Sequence, residues 1–199
     1  MKKALIVLMM GWATLGAYDA AHLKKALEEK ECVGCDLRGA DLRNLDFSGG
    51  DLSRSDLSGA DLSNSIFVMC SLDDANLSRA KAWGSIFWKG SMEHADLSHM
   101  QAKGGNFKGT HLNRADLSHA DLRETKSWKA DFTDAKLFHT DFTGAELGDA
   151  KFIRTDLRTA KLNNTLLWQT KFYDAVMSKA QCARAKKEEA LLDGNVTCR

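Results

Sequence analysis

Apolar and small residues recur along this chain with a period of five. Stepping from Leu37 to Met177 in fives gives 29 positions, and 26 of them are Leu, Phe or Met. Ala82, Ala102 and Ser127 are the exceptions. Two residues before each of these positions, from Cys35 to Ala175, 27 of 29 residues are Ala, Gly, Ser, Thr or Cys. Leu45 and Met100 break that second series. The register never slips, so no insertion interrupts the array.

A period of five suits neither standard element. On an α-helix five residues turn through about 500°, which would spread the large residues over every face. On a flat strand an odd period sends alternate large residues to opposite faces. The inward positions instead recur at spacings of two and three. A spacing of two is a short extended stretch, and a spacing of three leaves two outward residues to turn a corner. The backbone is therefore predicted to bend once per repeat and close into a coil.

The columns give the number of sides. Phe47, Phe67, Phe87 and Phe107 are twenty residues apart, as are Phe132, Phe152 and Phe172. The series from Leu37 through Leu157 to Met177 has the same spacing. Twenty residues are four repeats, so the coil has four sides. Coils stacked by backbone hydrogen bonds at about 4.8 Å, seven or so of them, make a rod of roughly 35 Å. A narrow tube holds one bulky residue per side, and its other inward residue must be small. Met100 beside Ala102 keeps this volume balance, whereas Ala82 has no such partner and predicts a thin stretch of core.

Both ends of such a stack need covering. Asp19 to Glu31 reads as a short helix, with Asp19 as N-cap and Leu23, Ala26 and Leu27 on one face. Lys179 to Leu192 has helix-forming composition and ends at Asp193-Gly194. Both are predicted caps.

The run GADLRNLDFSGGDLSRSDLSGADLSNS, residues 39–65, resembles the pentapeptide-repeat family with its A(D/N)LXX consensus. The resemblance covers about residues 35 to 181. It implies an all-β, right-handed quadrilateral parallel β-helix. Members of that family range from DNA-gyrase-protecting topoisomerase mimics to proteins of unknown role.

Composition narrows the function. Lys and Arg number 28 against 27 Asp and Glu, and there is no proline. That balance supports neither a nucleic-acid binder nor a polyanionic mimic, so no nucleic-acid partner is expected. Lys2 and Lys3 precede an apolar stretch from Ala4 to Leu15, too short to span a bilayer comfortably, and small residues follow. Residues 1–17 are thus predicted to be a signal peptide cleaved after Ala17, or near Ala20. The remaining expected units are an N-terminal cap (18–34), the repeat body (35–181) and a C-terminal cap (182–199). Export to the periplasm, the extracellular space or a thylakoid lumen follows, with no stable membrane insertion after cleavage.

Cysteine usage fits an oxidising compartment. Cys32 and Cys35 lie just before the repeats, and Cys182 and Cys198 just after them. The two pairs belong to opposite ends of the rod, which rules out a shared four-cysteine zinc site with its ~2.3 Å bonds. Structural disulfides Cys32–Cys35 and Cys182–Cys198 are expected, with Cys70 as an inert core thiol.

Outward columns supply the candidate sites. His99, His119 and His139 stack at twenty-residue intervals and are a weak candidate for Zn²⁺ or Cu²⁺, against the reading of a solvated corner. His94, Arg114, Asp134, Arg154 and Asp174 form a column of ion pairs that supports register. Trp88, Trp128 and Trp168 share one outward column, at two-coil intervals. Ile66, Ile86 and Leu166 flank them on the same side, Lys89, Lys126 and Lys129 lie beside them, and Trp83 sits one side away. Outward tryptophans mark contact sites. Three ligands fit: a protein docking on the flat side, a second copy of the chain, or a carbohydrate stacking on the indoles. The protein partner is the leading expectation.

No P-loop, GxSxG elbow, HExxH or recognisable pair of catalytic carboxylates is present, and no motif calls for a cofactor. The expected function is a non-enzymatic exported scaffold for protein–protein interaction. A metal-binding or cell-wall carbohydrate-binding protein, and a topoisomerase-interacting mimic, are the alternatives.

Overall fold

A computed structural model describes residues 18–199; the predicted signal peptide lies outside the described residues. Parallel bridges link most residues of the slot before the large position to the residue twenty further on; Lys136 and Asp156, at the coil where Thr159 departs from the left-handed corner, are not bridged to each other. Asp36 pairs with Asp56, Asp41 with Asp61, Asp46 with Ile66 and Asp51 with Ser71, and the series continues up the chain. Four such bridges occur per turn, one on each side. We name the sides after their first large residue: Leu37, Leu42, Phe47 and Leu52. The Leu37 and Phe47 sides are opposite each other.

Most corners are four-residue turns closed by a backbone hydrogen bond, as in Ala40 N–H to Leu37 O at 3.1 Å; at Cys35 and Leu45 the N–H donates to the Ser55 and Ser65 hydroxyls instead. The third residue of the corner is left-handed, and this replaces proline as the bending device. Gly59 has φ +67°, but Asn64, Arg79, His99 and Lys129 occupy the same slot with φ near +60°. Thr159 is the exception among the corners from Gly34 to Asp174, because a β-branched residue tolerates that region poorly. Its hydroxyl oxygen accepts the hydrogen bond of His139 N–H at 3.0 Å instead. The Asp that opens many repeats has a local purpose as well. Its carboxylate accepts the N–H two residues on, as Asp56 does from Ser58 at 2.9 Å and Asp96 from Ser98 at 2.9 Å.

The core is a set of columns. Phe47, Phe67, Phe87 and Phe107 stack with centroids 5.2, 5.1 and 4.9 Å apart. The column then ends at Ser127, and Phe132, Phe152 and Phe172 take over one side away, at 4.8 and 5.4 Å. Ser and Thr fit many of the small inward slots because their hydroxyls donate to a nearby backbone carbonyl: Thr110 to Phe87 O and Thr140 to Leu117 O of the preceding coil, both at 2.8 Å, and Thr165 to Leu162 O of its own turn at 2.7 Å.

The N-terminal helix α1 spans Ala20–Glu29, with Asp19 accepting from Ala21 N–H and His22 N–H. The first bridge is Glu31 to Asp51, so the coil begins at Glu31 rather than at Cys35. Cys32 and Cys35 fill successive inward slots, both buried, and are disulfide-bonded.

The C-terminal end differs from the single long helix predicted over Lys179–Leu192. Helix α2 covers only Lys179–Lys187, opened by a capping box between Ser178 and Gln181. Leu191–Asp193 is instead a strand. Four further short strands are β1 (Lys151–Ile153), β2 (Lys171–Tyr173), β3 (Val176–Met177) and β5 (Thr197–Cys198), with Leu191–Asp193 as β4. β4 pairs with β2, Lys171 to Leu191, and so keeps the twenty-residue register. β5 pairs with β3. The physical reason is the unfinished ladder of the last full coil, which these strands extend on two sides. Cys198 bonds to Cys182 of α2 and holds the tail there.

Helix α2 covers the remaining edge with side chains. Gln181 donates to Leu157 O and Ala160 O at 2.8 and 2.9 Å, and Arg184 donates to Leu162 O and Thr165 O. Glu188 accepts from Leu167 N–H at 3.1 Å. These are the backbone groups that another coil would have satisfied.

Candidate functional site on the Phe47 side

The outward slots of the Phe47 side hold most of the patch read from the sequence. Trp88 is 39% exposed, Trp168 50% and Leu166 53%. Ile66 and Ile86 are half-buried neighbours bridged to each other. Lys126 and Lys129 are exposed, and Lys89 lies over the Trp88 ring with its Nζ 5.0 Å from the centroid. Trp83 is 47% exposed but belongs to the neighbouring Leu42 side.

Trp128 is different. It is half-buried, and its Nε1–H donates to Glu146 at 2.7 Å. Its ring lies over Gly148, where an added Cβ would come within 2.1 Å of Cζ3. With no side chain in the intervening coil, Trp128 reaches Trp168, with ring centroids 6.3 Å apart. The structure thus joins Trp128 and Trp168, while Lys108 separates Trp88 from them. Sequence reasoning missed the part Gly148 and Glu146 play, although both stand in the columns of the patch.

Further apolar surface also escaped notice. Met69 is 63% exposed at a left-handed corner beside Val68. Leu166 and Trp168 also line an open groove of about 520 Å³ against α2, with Arg184, Lys187, Glu188 and Glu189 on its other wall.

The histidine column is present as rings in contact. His99 and His119 stack face to face at 4.8 Å, and His119 and His139 lie 5.3 Å apart, with Phe138 edge-on to His119 at 5.4 Å. Stacked rings point their nitrogen lone pairs side by side rather than towards one point. Among the described residues, no group of three or more His, Cys, Asp or Glu side chains is gathered for a metal ion.

Charge pairs decorate the other sides. Arg154 makes a two-point contact with Asp134 in the predicted ladder, and its guanidinium holds the Asp134 carboxyl below the ordinary carboxylate range. Burial of Asp131 pushes its carboxyl up, but the Thr133 hydroxyl, Lys151 and the Thr133 N–H outweigh it, and the net direction is downward. Burial, with the charge of Asp51, pushes the Cys70 thiol up to about 12, so it is a protonated core residue at neutral pH.

The sequence profile described as pentapeptide repeats matches eight copies, over residues 31–59, 55–87, 91–126 and 130–169. This chain belongs to the pentapeptide-repeat family. Three solved structures are similar to it. HetL, a pentapeptide repeat protein involved in heterocyst differentiation regulation from the cyanobacterium Nostoc sp. strain PCC 7120, is 23% identical over 72% of each chain, with a TM-score of 0.27. QnrB1, a plasmid-mediated fluoroquinolone resistance protein, is 20% identical over 72% of this chain and 84% of its own, with a TM-score of 0.33. A pentapeptide repeat protein from the Arabidopsis thaliana thylakoid lumen is 22% identical over 80% of this chain and 83% of its own, with a TM-score of 0.25. No curated protein matches the chain in sequence. Among the described residues, no helix is long and apolar enough to cross a membrane.

Proposed function

We propose that this pentapeptide-repeat protein is an exported, non-enzymatic, right-handed quadrilateral β-helix that docks a protein partner on its Phe47 side. One observation carries the reading: Trp88, Trp168 and Leu166 are exposed in the outward slots of one side. Most outward slots elsewhere hold Asp, Ser, Arg, Lys and Asn. Exposed indoles beside lysines supply the large rigid contact area that concentrates binding energy in protein interfaces. The export reading rests on the basic and apolar pattern of residues 2–15 and on two disulfides, which persist in oxidising compartments. The non-enzymatic reading rests on a side-chain surface organised by turn and ladder contacts, in which hydroxyl–carboxylate pairs such as Ser63–Asp61 and Thr133–Asp131 are bonds within single turns.

The test uses a triple variant, Trp88→Ser, Trp128→Ser and Trp168→Ser, in the disulfide-intact protein. Immobilised wild-type protein is expected to retain a partner from its native compartment, and the variant to lose it with the melting temperature of the solenoid kept. Equal retention by both proteins would remove the Phe47 side as the docking surface.

A further inference from the structure

The Phe47 side is also set apart by its charge. Its outward slots over four successive coils, from Ile66 to Lys129, contain no carboxylate. They contain four lysines instead, Lys89, Lys108, Lys126 and Lys129, all exposed. The ion pairs made by lysines elsewhere use Lys30, Lys103, Lys136, Lys151 and Lys161 and include none of these four. The opposite Leu37 side is the reverse. Its outward slots from Asp56 to His119 hold Asp56, Asp96 and Asp116 with Arg79 and no lysine. Over these coils the chain, with a net charge of +1, therefore carries a cationic stretch opposite an anionic one; beyond them the Phe47 side holds Asp46, Glu146 and Asp149, and the Leu37 side Arg38, Lys136 and Arg158.

We propose that the partner of the Phe47 side is an acidic protein surface, whose carboxylates meet Lys89, Lys108, Lys126 and Lys129 while its apolar side chains cover Ile86 and Trp88. This rests on the protein-docking reading above and adds the chemistry of the partner. Four ammonium groups without an ion-pair partner among the described residues make the stretch from Lys89 to Lys129 repel a cationic partner and steer an anionic one. The apolar residues between them favour a partner that brings apolar surface along with its charge. A protein surface is preferred to a lipid surface because of how the indoles lie. Trp128 is folded over Gly148 and tied to Glu146, and Trp88 lies under Lys89. A ring held down like that of Trp128, or covered like that of Trp88, presents a surface for packing, whereas insertion among lipids needs rings free to project.

The test measures binding of the disulfide-intact protein to a random glutamate–tyrosine copolymer, with a lysine–tyrosine copolymer and phosphatidylglycerol vesicles as comparisons. Two charge-reversal variants are compared. One replaces Lys89, Lys108, Lys126 and Lys129 with Glu. The other makes the same charge change at the exposed Lys24, Lys25, Lys179 and Lys186, off this side. The expected result is saturable binding of the glutamate–tyrosine copolymer that weakens with added salt and falls at least tenfold in the first variant but less than threefold in the second. The lysine–tyrosine copolymer and the vesicles are expected not to bind. Equal weakening in both variants, or no copolymer binding, overturns the proposal. Lysine-dependent vesicle binding without copolymer binding overturns it in favour of a lipid surface. Retention of a native partner that depends on the three tryptophans but not on the four lysines overturns the acidic assignment and leaves the docking side in place.

Discussion

The Trp128 indole rests directly on Gly148 of the next coil, so the residue with the smallest side chain determines where one of the largest lies. Gly148 has no left-handed φ to require glycine, and the constraint at this position comes from the ring above it. Replacement by Ala should leave the solenoid folded, displace the Trp128 ring and break its bond to Glu146. Tryptophan emission is then expected to move to the red and iodide quenching to rise. Unchanged emission and quenching would contradict this geometry.

Phe87 lies between Phe67 and Phe107 in the aromatic column and has no exposed surface. Closed coils above and below cannot collapse into the hole left by a truncation. Phe87→Ala should therefore cost about 3–5 kcal/mol. Urea unfolding measures the loss. A cost below about 1 kcal/mol would mean that the columns do not pack as described.

The four-sided coil was legible in the sequence because inward positions follow one rule for 29 successive repeats. The twenty-residue columns then placed Trp88, Trp128 and Trp168 on one side without any structure. What was not legible depends on side chains meeting across coils. Gly148 reads as a neutral outward residue until the Trp128 ring is seen lying over it. The end of α2 was also illegible, because Lys179 to Leu192 has good helix composition throughout. Ladder groups left open by the last coil draw Leu191–Asp193 into a strand, which is a tertiary effect that overrides local propensity. At the other end, Cys32 falls on the five-residue register one repeat ahead of Leu37, but a cysteine in the large slot hides that place from a pattern of Leu, Phe and Met.

The C-terminal cap should depend on its disulfide. Cys182 and Cys198 close a 16-residue separation, and removing such a link costs on the order of 3 kcal/mol. Cys198→Ser is expected to lower the melting temperature and raise amide exchange at Thr197 and Arg199, whose N–H groups donate to Ala175 O and Met177 O. Thiol titration of the wild-type protein, denatured without reductant, should find Cys70 alone; native protein should show no reactive thiol.

Acid should weaken the solenoid through its outward carboxylates. The carboxyls of Asp131, Asp134 and Asp141 are held below the ordinary range in the folded chain, with Lys151, Arg154 and Lys161 as their respective cationic partners. A depressed folded value means a stabilising contribution that is complete above the unfolded value of about 3.9 and is lost as pH falls through the folded value. Each exposed pair contributes about 0.2–1 kcal/mol, so the decline should be gradual and begin below about pH 4. Melting temperatures between pH 7 and pH 2 check this, and Asp134→Asn should flatten part of the slope.

Every surface described here depends on residues twenty apart lying one above another. Spin labels placed in pairs along one corner, with Cys70 replaced by Ala and the disulfides kept, measure that spacing. The corner runs through Met69, Lys129 and Gln169. At about 4.8 Å per coil, Met69 to Lys129 should be about 14 Å and Met69 to Gln169 about 24 Å, before the label arms are added. Distances that grow in those proportions support a single stacked side carrying the tryptophans and lysines. Equal distances for the two pairs, or a shorter one for the more distant pair, would contradict it.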